Sequence, residues 1–230
     1  MKLLSAAGLL FLLISNSLSA QTAEELIASV KQKMDKVNDY EATGKMKTNV
    51  IFIKAPVANV KVFFKKPNKL RIKNENGISF VPKGAVNINL ANVFDNTGQY
   101  DIIDMGKEKT TGFRVIKLLP QNDDADIVLS TLTIDEKTLL IKKAKTTTKD
   151  NGTYELDMTY GKYADYGLAD KITFSFNTKD YKLPKGVTFD YDDGTKKQNV
   201  ENKMADRKGK VEIVYSSYSI NKGLADTIFQ

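Results

Sequence analysis

Asp190-Tyr191-Asp192-Asp193-Gly194, with Glu201 further on, is the segment that most invites a chemical reading. Closely spaced carboxylates followed by a glutamate are what a calcium loop uses, because a hard cation collects oxygen ligands. Such a loop wants an oxygen ligand at its fifth place and glycine at its sixth. Gly194 and Thr195 stand there instead, and the segment reads as a polar turn. Asp123, Asp124 and Asp126 could pair carboxylates for acid–base work, yet three acids beside Pro120 read as a solvated loop. The chain has no histidine and no cysteine. That removes the usual zinc and copper ligands, the commonest general base and the histidine-dependent triads. Neither a nucleophile elbow nor a phosphate loop is present. The expectation is a non-enzyme with no cofactor and no metal.

Apolar surface is what remains. Val60, Val62 and Phe64 share one face of a strand, and Leu70 and Ile72 share one face of the next. Ile172, Phe174 and Phe176 do the same, as do Val187 and Phe189, and Ile213 with Tyr215. Such faces either pack into a solid core or line a cavity, and the residues alone allow both. A cavity of this kind would hold acyl chains, since each buried methylene gains about 0.8 kcal/mol with no specific polar contact.

These faces sit on short alternating runs broken by turns. Lys66-Pro67-Asn68-Lys69 reads as a tight turn, because proline presets the backbone of its second position. On the returning strand Leu70 and Ile72 alternate with Lys69, Arg71 and Lys73, which makes a hairpin with one dry and one wet face. Further strands are expected at Tyr100–Asp104, Phe113–Leu119, Ile127–Ile134, Leu139–Thr147, Tyr154–Tyr160, Lys171–Phe176, Val187–Tyr191 and Val211–Ser219. Residues 86–94 suit a short helix or lid, and Asp192–Lys210 reads as an exposed loop. Tyr160-Gly161-Lys162-Tyr163 followed by Gly167-Leu168-Ala169-Asp170 is echoed by Tyr215-Ser216-Ser217-Tyr218 followed by Gly223-Leu224-Ala225-Asp226. The echo suggests two hairpins turning in the same way.

One amphipathic helix precedes the strands. Thr22-Ala23-Glu24-Glu25 fits a capping box, Leu26, Ile27, Val30, Met34 and Val37 recur at helical spacing, and Asn38-Asp39 ends it. Before it, Met1-Lys2, an uncharged apolar run from Leu3 to Ile14, and small residues up to Ala20 read as a secretory signal at 1–20. That run is too short to span a bilayer. The remaining 21–230 is expected to be one domain in the periplasm, soluble after cleavage and monomeric. The formal net charge of +7, mostly lysine, suits a solvated surface or a diffuse attraction to anionic membranes. Arginine forks for base reading are nearly absent, so no nucleic acid is expected.

Phe64-Lys65-Lys66-Pro67-Asn68-Lys69-Leu70-Arg71 resembles the basic-Pro-Asn/Asp hairpin of the periplasmic LolA-type lipoprotein carriers and the wider outer-membrane lipoprotein-sorting proteins. Leu183-Pro184-Lys185-Gly186-Val187-Thr188-Phe189-Asp190 is similar to their Pro-x-Gly-Val segment. The leading helix followed by a first strand keeps the same order, so the resemblance spans most of residues 21–194. It implies an α+β, mostly antiparallel fold: a strongly curved, half-closed β-barrel whose apolar cavity lies under the N-terminal helix and a short helical lid. Arg71 matches the family's strand arginine, which implies a latch from sheet to lid; its plain alternative is an outward, solvated arginine. The chain departs from the family by lacking tryptophan and by an expected extra loop and hairpin at 195–230. The implied function is a carrier that shelters lipid or lipoprotein acyl chains, handing them between membrane-anchored donor and acceptor proteins during outer-membrane biogenesis. The rival is an envelope sensing module of the same fold that binds a protein instead of moving lipid.

Overall fold

Thr22 starts the helix as its hydroxyl and the Glu25 carboxylate dictate. Thr22 Oγ1 accepts a hydrogen bond from the Glu25 amide (3.1 Å), and the Thr22 amide donates to Glu25 Oε2 (3.0 Å). Two of the free donors of the first turn are thereby satisfied. The helix, α1, runs Ala23–Met34 and buries Ala23, Leu26, Ile27 and Val30. It ends at Asp35, a turn earlier than the apolar spacing suggests, although Val37 is still buried.

This computed structural model describes residues 21–49, 57–67, 69–74, 100–122, 126–149, 152–177 and 208–229. The expected signal at 1–20, the lid at 86–94, Val187, Phe189 and the acidic segment that follows them lie outside the described residues.

Among the described residues ten strands follow α1: β1 (Asp39–Asn49), β2 (Ala58–Lys65), β3 (Lys69–Asn74), β4 (Tyr100–Lys107) and β5 (Arg114–Pro120). Then come β6 (Ile127–Asp135), β7 (Leu140–Thr148), β8 (Gly152–Thr159), β9 (Lys171–Asn177) and β10 (Lys208–Ile220). They form one curved antiparallel sheet in the order β3-β2-β1-β10-β9-β8-β7-β6-β5-β4, in which β3 and β4 are the edges and do not pair with each other among the described residues. Period-two alternation makes one side of it apolar: β6 buries Ser130, Leu132 and Ile134, and β8 buries Tyr154, Leu156 and Met158.

The last strand is not an appendage. The stretch expected to hold an extra hairpin supplies β10, which lies between β1 and β9 at the centre of the sheet. Its first residues, Lys208–Lys210, belong to the strand and not to the exposed loop expected there. Nor do the two echoed segments fold alike. Gly167 and Gly223 both adopt left-handed backbone (φ 68° and 80°). Beyond them, the first copy leads into β9 and the second into a 3-10 turn at Asp226–Phe229, while Tyr215–Tyr218 lies inside β10.

The inner side of the sheet and the buried stripe of α1 form one cluster. Its largest fully buried side chains include Leu26 and Ile27 of α1, Ile116 and Leu118 of β5, Leu132 and Ile134 of β6, and Val60 and Val62 of β2. At the half of the sheet that contains β5 and β6, the inward side chains of both strands are fully covered.

Candidate functional site

At the other half the inner side is not filled. A pocket of about 190 Å³ lies between the end of α1 and six contiguous strands, β3, β2, β1, β10, β9 and β8. From α1 and the residues after it come Lys31, Met34, Asp35 and Val37. β2 and β3 contribute Val62, Phe64, Leu70 and Ile72, β9 contributes Ile172 and Phe174, and β8 contributes Leu156 and Met158. The loop Tyr166–Ala169, after a 3-10 turn at Ala164–Tyr166, closes one side.

Of the residues expected to line a cavity, Val62, Phe64, Leu70, Ile72, Ile172 and Phe174 are brought together at this pocket. Val60 and Phe176 are buried in the core without lining it. Phe176 stacks on Phe174 (5.2 Å between centroids) and lies over Gly209, where a methyl group would meet its ring at 2.3 Å.

Arg71 stands between the pocket-lining Leu70 and Ile72, so it projects to the opposite face of β3. There Arg71 Nη1 donates to the Ile228 carbonyl (2.9 Å), while Lys65 and Lys69 both reach Asp226 at 2.9 Å. Its described bond thus fastens the outer face of the β2–β3 hairpin to the C-terminal turn.

Sequence reasoning placed Tyr215 on an apolar face with Ile213 but missed the rest of the aromatic wall. Tyr40 of β1 and Tyr215 and Tyr218 of β10 all line the pocket, although residues three apart in a regular strand face opposite ways. A β-bulge resolves the conflict. Thr43 pairs with Ser217 but Gly44 pairs with Tyr215, leaving Ser216 as an extra residue. The three rings then pack together, Tyr218 lying 5.3 Å from Tyr40 and 5.0 Å from Tyr215, and Tyr40 stacks on Phe64 at 5.3 Å. Two tyrosine hydroxyls have backbone partners: Tyr218 donates to Ala169 O and Tyr160 to Ile141 O, each at 2.7 Å. Burial pushes the phenols of Tyr40, Tyr160, Tyr215 and Tyr218 above their ordinary range, so all four stay neutral.

Charge is confined to the rim. Lys66 Nζ donates to the Asp35 carboxylate (2.9 Å) and carbonyl (3.0 Å), and Lys31 lies 3.7 Å from the same carboxylate. These side chains are 33–45% exposed. Burial would raise the Asp35 carboxyl, but the bond to Lys66 and the charges of Lys66 and Lys31 bring it below the usual range. The site therefore joins an apolar interior to a charged edge.

No family model and no curated protein matches the sequence. Solved structures do match the fold. A domain from Vibrio parahaemolyticus assigned to the outer membrane lipoprotein-sorting proteins superposes with a TM-score of 0.55 at 11% identity, covering 90% of this chain and 97% of that one. A LolA superfamily protein from Nitrosomonas europaea gives 0.54 at 12% identity, over 89% and 97% of the two chains. This chain shares the fold of both structures. A DUF1329 family protein from Desulfovibrio piger shares it as well, at 0.55 and 14% identity over 90% and 95% of the two chains. At identities this low the likeness shows a shared fold alone and leaves the cargo to be argued from the pocket.

Proposed function

We propose that this protein is a periplasmic carrier that shelters the acyl chain of a lipid or lipoprotein in the pocket beneath the end of α1, passing it between membrane-anchored partners. One observation carries the reading: six neighbouring strands turn apolar side chains toward a space their own atoms leave empty. Volume sets the scale of the cargo. At about 190 Å³ the pocket is smaller than the roughly 300–1,000 Å³ usual for small-ligand sites. A cavity of about 150 Å³ takes a benzene, so this one seats on the order of eight chain carbons. At about 0.8 kcal/mol per methylene that is roughly 6 kcal/mol, tens of micromolar before the cost of ordering the chain. Weak, reversible holding suits a shuttle.

Uptake of a fluorescent fatty acid tests the reading, with native mass spectrometry of protein purified from the envelope. Wild-type protein is expected to bind saturably and to carry lipid mass. Ile72→Trp, which places extra carbons in the empty space, is expected to weaken uptake about tenfold or more, as losing two methylenes' worth of burial requires. A homogeneous apo mass together with no uptake by the wild type would remove the carrier reading.

A further inference from the structure

Among the described residues, and apart from the exposed Tyr166, the pocket-lining tyrosine hydroxyls without a hydrogen-bond partner are those of Tyr40 and Tyr215. Their rings are well packed and flank that of Tyr218, so neither side chain can simply swing out to water. Both belong to the pocket lining. Their neighbours Tyr160 and Tyr218 are already committed to backbone carbonyls. Both residues are partly buried, and a hydroxyl drawn into an apolar site without a partner forfeits part of a hydrogen bond's worth, so such groups in folded proteins normally find one. Two of them on one wall of an otherwise apolar pocket point to a polar atom on whatever fills it.

The chemistry of that atom follows from its surroundings. The phenols stay neutral and each has a proton to donate, so the partner is an acceptor. The ionised side chains lining the pocket, among the described residues, are Lys31, Asp35 and Lys66, which satisfy one another at the exposed rim. Among the described residues the cations that line the pocket, Lys31 and Lys66, stand at the rim, and Asp170 is close enough to Tyr218 to disfavour further negative charge there. An anionic head group therefore has no counter-charge inside, whereas a carbonyl oxygen, with two lone pairs, suits two donors. We propose that Tyr40 and Tyr215 seat the neutral carbonyl, ester or amide, that joins an acyl chain to its head group. This deepens the carrier reading and rests on it: the tail occupies the apolar pocket, the linkage meets the tyrosines, and the head lies toward the charged rim.

Ester and ether lipids of equal chain length separate this idea from simple greasiness. Monooctanoyl glycerol and octyl glycerol, whose tails match the capacity of the pocket, differ at one carbonyl and are offered as competitors of a fluorescent fatty acid. Wild-type protein is expected to prefer the ester by roughly three- to tenfold, the worth of one or two neutral hydrogen bonds. The double variant Tyr40→Phe with Tyr215→Phe is expected to lose that preference while still taking up the ether, which also shows that it is folded. Equal binding of the two lipids by the wild type overturns the tyrosine seat alone. A preference that survives in the double variant also overturns it. Binding of neither lipid overturns both the seat and the carrier reading.

Discussion

A methyl group on Gly44 would stand 2.5 Å from the Val214 carbonyl oxygen and 3.2 Å from the Tyr215 Cα. Both are backbone atoms of β10, so relief requires the strand itself to move. Gly44 also lies at the register shift that turns both Tyr215 and Tyr218 inward. Two effects oppose each other in Gly44→Ala. Restricting the unfolded chain stabilises by about 0.4–1 kcal/mol, whereas forcing atoms into a packed strand pair costs about 1–3 kcal/mol. The clash wins, because no flexible side chain is there to give way. A net loss of about 1–2 kcal/mol in urea unfolding is expected, with weaker probe uptake as the tyrosine wall shifts. Unchanged stability would mean that the bulge tolerates a side chain. The spacing of Tyr215 and Tyr218 was the sequence's sign of this bulge, visible only to a reader who already places both rings on one face.

α1 and the β2–β3 hairpin meet across the rim through Lys66, whose ammonium reaches both the carbonyl and carboxylate of Asp35. On the opposite side Lys33 Nζ donates to the Thr138 carbonyl between β6 and β7, and Lys36 Nζ reaches Asp165 O at 3.4 Å. The helix end is thus held from both halves of the sheet. Because the Lys66 pair is well exposed, it contributes little to global stability, about 1 kcal/mol at most. Its position gives it a different weight: it closes the pocket's charged edge. Lys66→Met is expected to leave the denaturation midpoint nearly unchanged while speeding probe association and release a few-fold in stopped-flow fluorescence. Rates equal to wild type would place the entrance elsewhere. At this scale the sequence was most readable. Capping chemistry marked Thr22, and period-two alternation marked β2 to β9 to within a few residues, because both signals are local.

The order in which strands pair is a non-local property, and there the reading of residues failed. Alternation shows that 211–219 is a strand but says nothing about its neighbours, so it cannot place this strand within the sheet. In the structure β10 pairs with β1 over Tyr40–Asn49 and with β9 over Lys171–Asn177. It supplies Val211, Ile213, Tyr215 and Tyr218 to the pocket. The chain beyond it fastens back to the start of β1: the Asp39 carboxylate accepts from the Lys222 and Gly223 amides (3.0 and 3.1 Å), and Asn221 Oδ1 accepts from the Asn38 amide at 2.7 Å. The two views of this segment predict opposite outcomes for a chain ending at residue 207. An appended hairpin would be dispensable, leaving a slightly less stable carrier. A central strand is not: its removal parts β3-β2-β1 from β9 to β4, bares the paired edges of β1 and β9, and opens the wall that holds the tyrosines. Exposed edges of that length pair with other chains. The truncated protein is therefore expected to lose cooperative unfolding by circular dichroism and to aggregate, where the full chain gives a single transition. Retention of a sharp transition and of probe uptake would show that β1 and β9 can close on each other without β10, and that the pocket is a property of the remaining nine strands.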